Sequence, residues 1–380
     1  MKICLIPMSY PEQQNVQPWF EEFERQGVTC LHNRPDKDTD FILMSGHACG
    51  HHGFPVNLTH DAINVFPDIP VINYVWDFYD WFIDHHGAYD WHKHLWFYNN
   101  SAEIWVPSEE VKLRLMEEGN GNANLACSVE NPRGRERYAK MVGDINIEML
   151  DDNPNRKYID LHPKHMQNLK SGENIHVVKT WARTFDWDHS TEQKRYVLNP
   201  MRIYTDPQEG WLERLEKESY EESKTDVNHP HIPVKRTNHG YNENEWRRIL
   251  AGCTFICTEF HEASTGGLSL IEAHNLGKNV VISDSKYMGA RDYLGDRAIY
   301  FKDGDYEDFK RVITETYKNP PKLDKAECEK WVKENVPSLE QMVSEMISRM
   351  RHLLTKKPAT VGDITSDKPH LQWKWEEKIE

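Results

Sequence analysis

The chain contains no apolar run approaching the roughly eighteen residues that a transmembrane helix needs, so a membrane-spanning role is not expected. Residues 1–7 form an apolar stretch too short for a signal peptide and read instead as a first strand. The seven cysteines include no CxxC pair, which argues against a disulfide framework or a zinc ribbon and fits reduced thiols in a cytoplasmic protein. Excess positive charge is missing too. The formal net charge of −15 weighs against tight binding to nucleic acid or anionic membrane, whose affinities come largely from Lys and Arg on phosphate. There is no HExxH motif, no internal repeat and no low-complexity tract.

What is present describes a folded, polar-surfaced protein, with 38% hydrophobic and 28% charged residues. A chain of 380 residues suggests two domains, each large enough for its own core. Thirteen Trp and sixteen Tyr are many; aromatics suit sugar stacking, but a well-packed core explains them first. Short apolar runs predict strands at 2–7, 28–31, 40–44, 70–76 and 103–107 in the first half. In the second half they predict strands at 174–181, 201–204, 234–239, 254–258, 279–283 and 298–301. Helical patterns lie between many of them, at 18–26, 109–118, 211–222, 242–250, 306–318 and 325–335, with a last helix at 338–354. Strands alternating with helices imply α/β domains with parallel, doubly wound sheets.

Residues 254–284 are the best-defined stretch and read as strand, loop, helix, strand. That is one βαβ unit of about thirty residues. Gly266 and Gly267 stand immediately before the helix, and Gly277 is placed to end it in a left-handed cap. Without Cβ atoms, the two adjacent glycines allow backbone N–H groups to approach a ligand closely. The helix start favours an anion such as a diphosphate. Glu262 precedes the glycines and Glu272 lies about one and a half turns into the helix, so both carboxylates can face a ligand beyond the strand ends and accept charge-assisted hydrogen bonds from hydroxyls. A glycine pair before a helix is also compatible with a plain tight turn.

The run from Glu262 through Gly267 and Glu272 to Gly277 and Asp284 resembles the donor-site signature of retaining GT-B glycosyltransferases of the glycogen-synthase and mannosyltransferase-like (GT4-type) group. The resemblance implies two Rossmann-like doubly wound parallel-sheet domains facing a cleft. It implies an N-terminal acceptor-side domain at 1–165, a C-terminal nucleotide-sugar donor domain at 166–335, and a crossing C-terminal helix and tail at 336–380. In that family two glutamates separated by seven residues bracket a glycine loop; the second holds the donor ribose, and the first, with loop amides, holds donor-sugar hydroxyls. Glu272 matches the second. Ser264 stands at the family position of the first, and Glu262 lies two residues before it. Backbone groups of Ser264, Gly266, Gly267 and Leu268 would line the donor. The family also ends the first strand of its donor domain in an arginine, with a lysine about five residues on, to neutralise the diphosphate. Arg183, after the 174–181 strand, fits the arginine, and Lys194 is the next lysine.

Nine of the twenty histidines precede residue 100. His47, His51 and His52 share a glycine-bearing loop after the third strand, and His85, His86, His92 and His94 lie among tryptophans. Histidines so spaced can ligate zinc, but no accompanying ligand pattern supports a metal, and none is expected. His47 can instead meet donor phosphates or the transferring sugar, or serve a structural role. Asp77, after the fourth strand, fits either an acceptor base or a helix N-cap.

The resemblance thus implies a retaining, metal-independent transfer of a hexose or pentose from a nucleotide sugar such as UDP- or GDP-sugar, with no further cofactor. The acceptor stays open among saccharide, lipid, protein and, were the source viral, a modified DNA base; oligomeric state is equally open. A nucleotide-sugar epimerase, a phosphorylase of the same fold and a non-catalytic nucleotide- or carbohydrate-binding protein are the alternatives.

Overall fold

In the computed structural model the described residues are 1–7, 17–46, 62, 65–75, 101–119, 171–182, 194–200, 208, 210–237, 243–259, 268–286 and 288–356. The chain divides into two compact units: Met1–Val178 with Leu339–Glu380, and Lys179–Ser338.

The first unit is built on a six-stranded sheet in the order β2-β1-β3-β4-β5-β6. Its strands are β1 (Lys2–Pro7), β2 (Thr29–His32), β3 (Phe41–Gly46), β4 (Val71–Val75), β5 (Glu103–Val106) and β6 (Ile175–Val177). Every pairing is parallel. β4 is buried at all five positions, as expected of a central strand covered on both faces. Helix α1 (Gln17–Arg25) buries Trp19 and Phe23, and Trp19 meets Tyr74 of β4 edge-on with centroids 5.3 Å apart. Helix α2 (Glu109–Gly119) begins at Ser108, whose Oγ accepts the Val111 N–H at 3.3 Å, and carries Glu109 and Glu110 in its positively polarised first turn.

β6 corrects one expectation. Residues 174–181 do not open the second sheet; Ile175–Val177 pair with β5, Ile104 opposite Ile175, and complete the first. The chain therefore passes into the second unit after Val178, beyond the boundary near 165.

The second unit carries a five-stranded parallel sheet in the order β11-β10-β9-β7-β8. Its strands are β7 (Val197–Asn199), β8 (Val234–Arg236), β9 (Phe255–Cys257), β10 (Asn279–Ser283) and β11 (Ile299–Phe301). β7 lies at a place to which the sequence patterning assigns no strand, while 201–204, where a strand is expected, lies outside the described residues.

The helices of this unit are α3 (Trp211–Thr225), α4 (Glu243–Gly252), α5 (Leu268–Asn275), α6 (Ala290–Leu294), α7 (Tyr306–Lys318) and α8 (Lys325–Asn335). Alternation along the strands sorts the core into two layers. Leu198, Ile256, Val280 and Ile282 pack with Leu250 of α4, Leu270 and Ile271 of α5 and Val332 of α8. Val197, Phe255, Cys257 and Val281 pack on the other face with Leu212 and Leu215 of α3 and Phe309 and Ile313 of α7.

Helix α9 (Leu339–Lys356) returns to the first unit. There its Glu340 carbonyl accepts Gln26 Nε2 at 3.0 Å, and Ser344 Oγ donates to Gln26 Oε1 at 2.9 Å. No helix among the described residues is long and apolar enough to cross a membrane.

Candidate functional site

In the second sheet β7 has β8 on one side and β9 on the other, so successive crossovers leave in opposite directions. In open parallel sheets, ligands settle at such a switch point, beyond the carboxyl ends of the strands. Here that edge is formed by the residues following β7 and β9 and by the start of α5.

Glu272 stands on α5, in its second turn, and is 5% exposed. The indole Nε1–H of Trp246, on α4, donates to its Oε2 at 2.8 Å. A carboxylate on the side of a helix start, oriented by a neighbour's fixed donor, is suited to accept hydrogen bonds from vicinal hydroxyls. Leu268 is the first residue of α5. The helix ends as expected: Gly277 has φ +71°, and its N–H bonds to the His274 carbonyl at 2.8 Å. A Cβ at Gly277 would sit 3.3 Å from the Lys325 Cα, so this turn also permits α5 to lie close against the start of α8.

Sequence reasoning missed Glu259, two residues past β9. It is completely buried. Its carboxylate accepts the backbone N–H groups of Gly210, at 3.3 Å, and of Leu212, at the opening of α3, together with Arg236 Nη2 at 3.2 Å. A charged acceptor over the orphan N–H groups of a helix start is electrostatically favourable. Glu259 therefore ties α3 to the end of β9, and Arg236, at the end of β8, to both. An acidic residue placed directly after a buried apolar strand is the sequence signal that points to it.

The same edge is locked on its far side. Asp303, after β11, accepts Ser283 Oγ at 3.0 Å and Gln208 Nε2 at 2.6 Å through Oδ1, and its own N–H donates to Asp284 Oδ1 at 2.7 Å. Asn199, at the end of β7, is buried, and its carbonyl accepts the Thr237 N–H at 3.2 Å.

Glu272 and Leu268 are thus brought to the carboxyl edge of the sheet. Lys194 is not. It is exposed, it precedes β7, and its N–H bonds to the Gly252 carbonyl at 2.8 Å, at the end of α4. That is the amino edge, opposite the start of α5, so a donor-phosphate role for Lys194 does not fit the fold. The premise for Arg183 shifts as well, because the first strand of this sheet is β7. Residues 180–182 instead run against α6, where the Thr180 N–H bonds to Tyr293 Oη at 2.9 Å. His47, Asp77, Arg183, Glu262, Ser264, Gly266 and Gly267 lie outside the described residues, as do the other early histidines at 51, 52, 85, 86, 92 and 94.

Searched by sequence, the chain matches no protein-family model and no curated protein. Compared by structure, it is similar to sucrose-phosphate synthase of Thermosynechococcus elongatus, with a TM-score of 0.55 and 9% identity over 94% of this chain and 100% of that one. The fold is GT-B. Trehalose-6-phosphate synthase, solved in work on glycosyl transfer with retention, superimposes with a TM-score of 0.52 and 7% identity over 92% of this chain and 99% of that one. HepE of Anabaena, solved with UDP, gives 0.51 and 10% identity over 93% and 100%. The GT-B likeness spans nearly the whole length of each chain while identity stays at these levels, so it is a likeness of fold.

Proposed function

We propose that the protein is a retaining glycosyltransferase that takes a sugar from a nucleotide-sugar donor to an acceptor hydroxyl, without a metal ion. The observation that carries this reading is the buried, Trp246-oriented carboxylate of Glu272 at the start of α5, on the carboxyl edge of the second sheet of a GT-B fold. Glu272 would bind the donor ribose. The glycine pair at 266 and 267, with the Ser264 and Leu268 backbone, would bring N–H groups to the diphosphate at the helix start. Glu262 would hold donor-sugar hydroxyls. The leaving diphosphate needs a cation. By sequence position alone, three residues beyond β7, we assign that role to Arg202, which like Arg183 lies outside the described residues. His47, directly after β3 in sequence, would meet the donor phosphates or the transferring sugar, and Asp77, two residues beyond β4, would serve as the acceptor base.

Two findings support parts of this reading: a solved relative in fold holds UDP, and another was used to study transfer with retention. A UDP-sugar is accordingly the first donor to test, with GDP-sugars second.

The test begins with a thermal-shift screen of nucleotides, since a ligand bound to the folded state alone raises the melting temperature. The donor so identified is then titrated against Glu272→Gln, which keeps the shape and an oxygen for Trp246. Loss of the charge on a hydrogen-bonded carboxylate is expected to weaken donor binding about ten- to hundredfold, with the melting temperature of the free protein nearly unchanged. Undiminished donor affinity in Glu272→Gln would remove the proposed site. Release of free nucleotide without a change of sugar configuration in the product checks retention.

A further inference from the structure

A second polar site lies on the first unit, at the amino edge of its sheet, opposite the edge where β1 and β3 end. It is a pocket of about 480 Å³ between the starts of β5 and β6 and the last turns of α9, lined by Glu103, Asn174, His176, Arg349, His352 and Lys356 among others. That volume falls within the range of small-molecule sites.

Its floor is a satisfied ion pair. Arg349 Nε and Nη2 donate to the two oxygens of Glu103 at 2.9 and 3.0 Å, and Trp105 Nε1 donates to Glu103 Oε2 at 2.7 Å. Glu103 is 6% exposed, and its Oε1 also lies 3.4 Å from His176 Nε2, so its charge is shared between Arg349 and the pocket's histidine. Arg349, His352 and Lys356 recur at helical spacing and share one face of α9. Lys356 forms no ion pair among the described residues, and neither does the half-buried Lys112 of α2, which is not part of the lining. His176 reports the resulting field. Burial holds its ring below the ordinary histidine range, Arg349, Lys112 and Lys356 push in the same direction, and Glu103 alone opposes them. The carbonyls ending α9 and the exposed Glu173 on the rim offset part of this positive charge, but neither pairs with the two lysines. Asn174, on the wall, has a buried Oδ1 without a donor among the described residues.

We infer that this pocket binds a small phosphate monoester carrying hydroxyl groups, with Lys356 and His352 meeting the phosphate and the Asn174 wall facing a hydroxyl. The inference does not depend on the transferase reading, since it concerns the opposite edge of another unit.

Glucose 6-phosphate, with unphosphorylated glucose and inorganic phosphate as controls, is the probe, titrated by calorimetry into the full chain. The phosphate ester is expected to bind measurably below about 10 mM, inorganic phosphate more weakly, and glucose not at all. Lys356→Gln and His352→Gln, which leave the Glu103–Arg349 pair intact, are each expected to lower that affinity about tenfold. Glu272→Gln, on the other unit, is expected to leave it unchanged, and UDP not to compete. Absence of binding up to that concentration, undiminished affinity in both the Lys356 and His352 variants, or displacement by UDP would overturn the assignment. The last outcome would place the phosphate ester in the donor site.

Discussion

Each of the two parallel sheets buries a glutamate beside an arginine, yet at opposite edges. In the first unit Glu103 opens β5 and is clamped by Arg349 from a helix 246 residues away. In the second, Glu259 follows β9 and is held by helix N–H groups and by Arg236, within 49 residues in sequence. The first pair staples the terminal helix onto the amino edge of a finished sheet, a structural task. The second braces the carboxyl edge, where the loops that would carry a donor begin. The difference teaches that a buried carboxylate is informative about function chiefly through the edge on which it stands and what its partners hold in place.

The largest expected effect comes from breaking the first pair. Arg349→Ala leaves Glu103 buried without its counter-charge and should cost about 3–5 kcal/mol of stability, read from denaturant unfolding. A cost under about 1 kcal/mol would mean that α9 is held by its apolar face alone, through Met342, Met346 and Met350.

Next is a pH effect confined to the second unit. His274, on α5, has no exposed surface, its ring nitrogens lack hydrogen-bond partners among the described residues, and it meets Trp331 edge-on at 5.5 Å. Burial, reinforced by Arg297, pushes it down to about 4 from the ordinary 6.5. Between those values the unfolded chain binds a proton that the folded chain refuses. This contribution to stability is therefore complete above pH 6.5 and is lost as pH falls toward 4, by up to about 3 kcal/mol. The measurement is the melting temperature of wild type and His274→Leu across that window. The variant should show a shallower acid loss, and parallel curves would refute the assignment.

Glu259→Gln should cost about 2 kcal/mol, because the amide keeps an acceptor but loses the charge that faces the α3 N-terminus and Arg236. Hydrogen exchange should rise first in the opening turn of α3. The smallest effect is expected at Gly277→Ala, about 1–2 kcal/mol, from a left-handed backbone that disfavours a side chain and from crowding against Lys325. It should leave donor binding intact, which separates the end of α5 from the proposed donor site at Glu272.

Residues 254–284 were readable because their signals are local. A strand, a glycine-flanked helix start, an αL cap and a second strand all depend on neighbours within a few residues, and the observed β9, α5, Gly277 and β10 follow them. Glu272 was likewise assigned to a helix by spacing alone. The second unit's first strand was not readable in that way. β7 and β6 have three residues each, too few to show a period, and their sheet membership is a matter of which distant strand accepts their backbone bonds.

By itself, then, the amino-acid sequence determined an α/β chain of two parallel-sheet units and a carboxylate on the helix between β9 and β10, since these arise from periodicity and turn chemistry. Only the tertiary structure decided that Ile175–Val177 complete the first sheet, that Lys194 lies at the wrong edge for a donor phosphate, and that Glu259 and Glu103 are buried with their arginines. Those facts depend on strand order and on contacts between residues far apart in the chain, which no local pattern encodes.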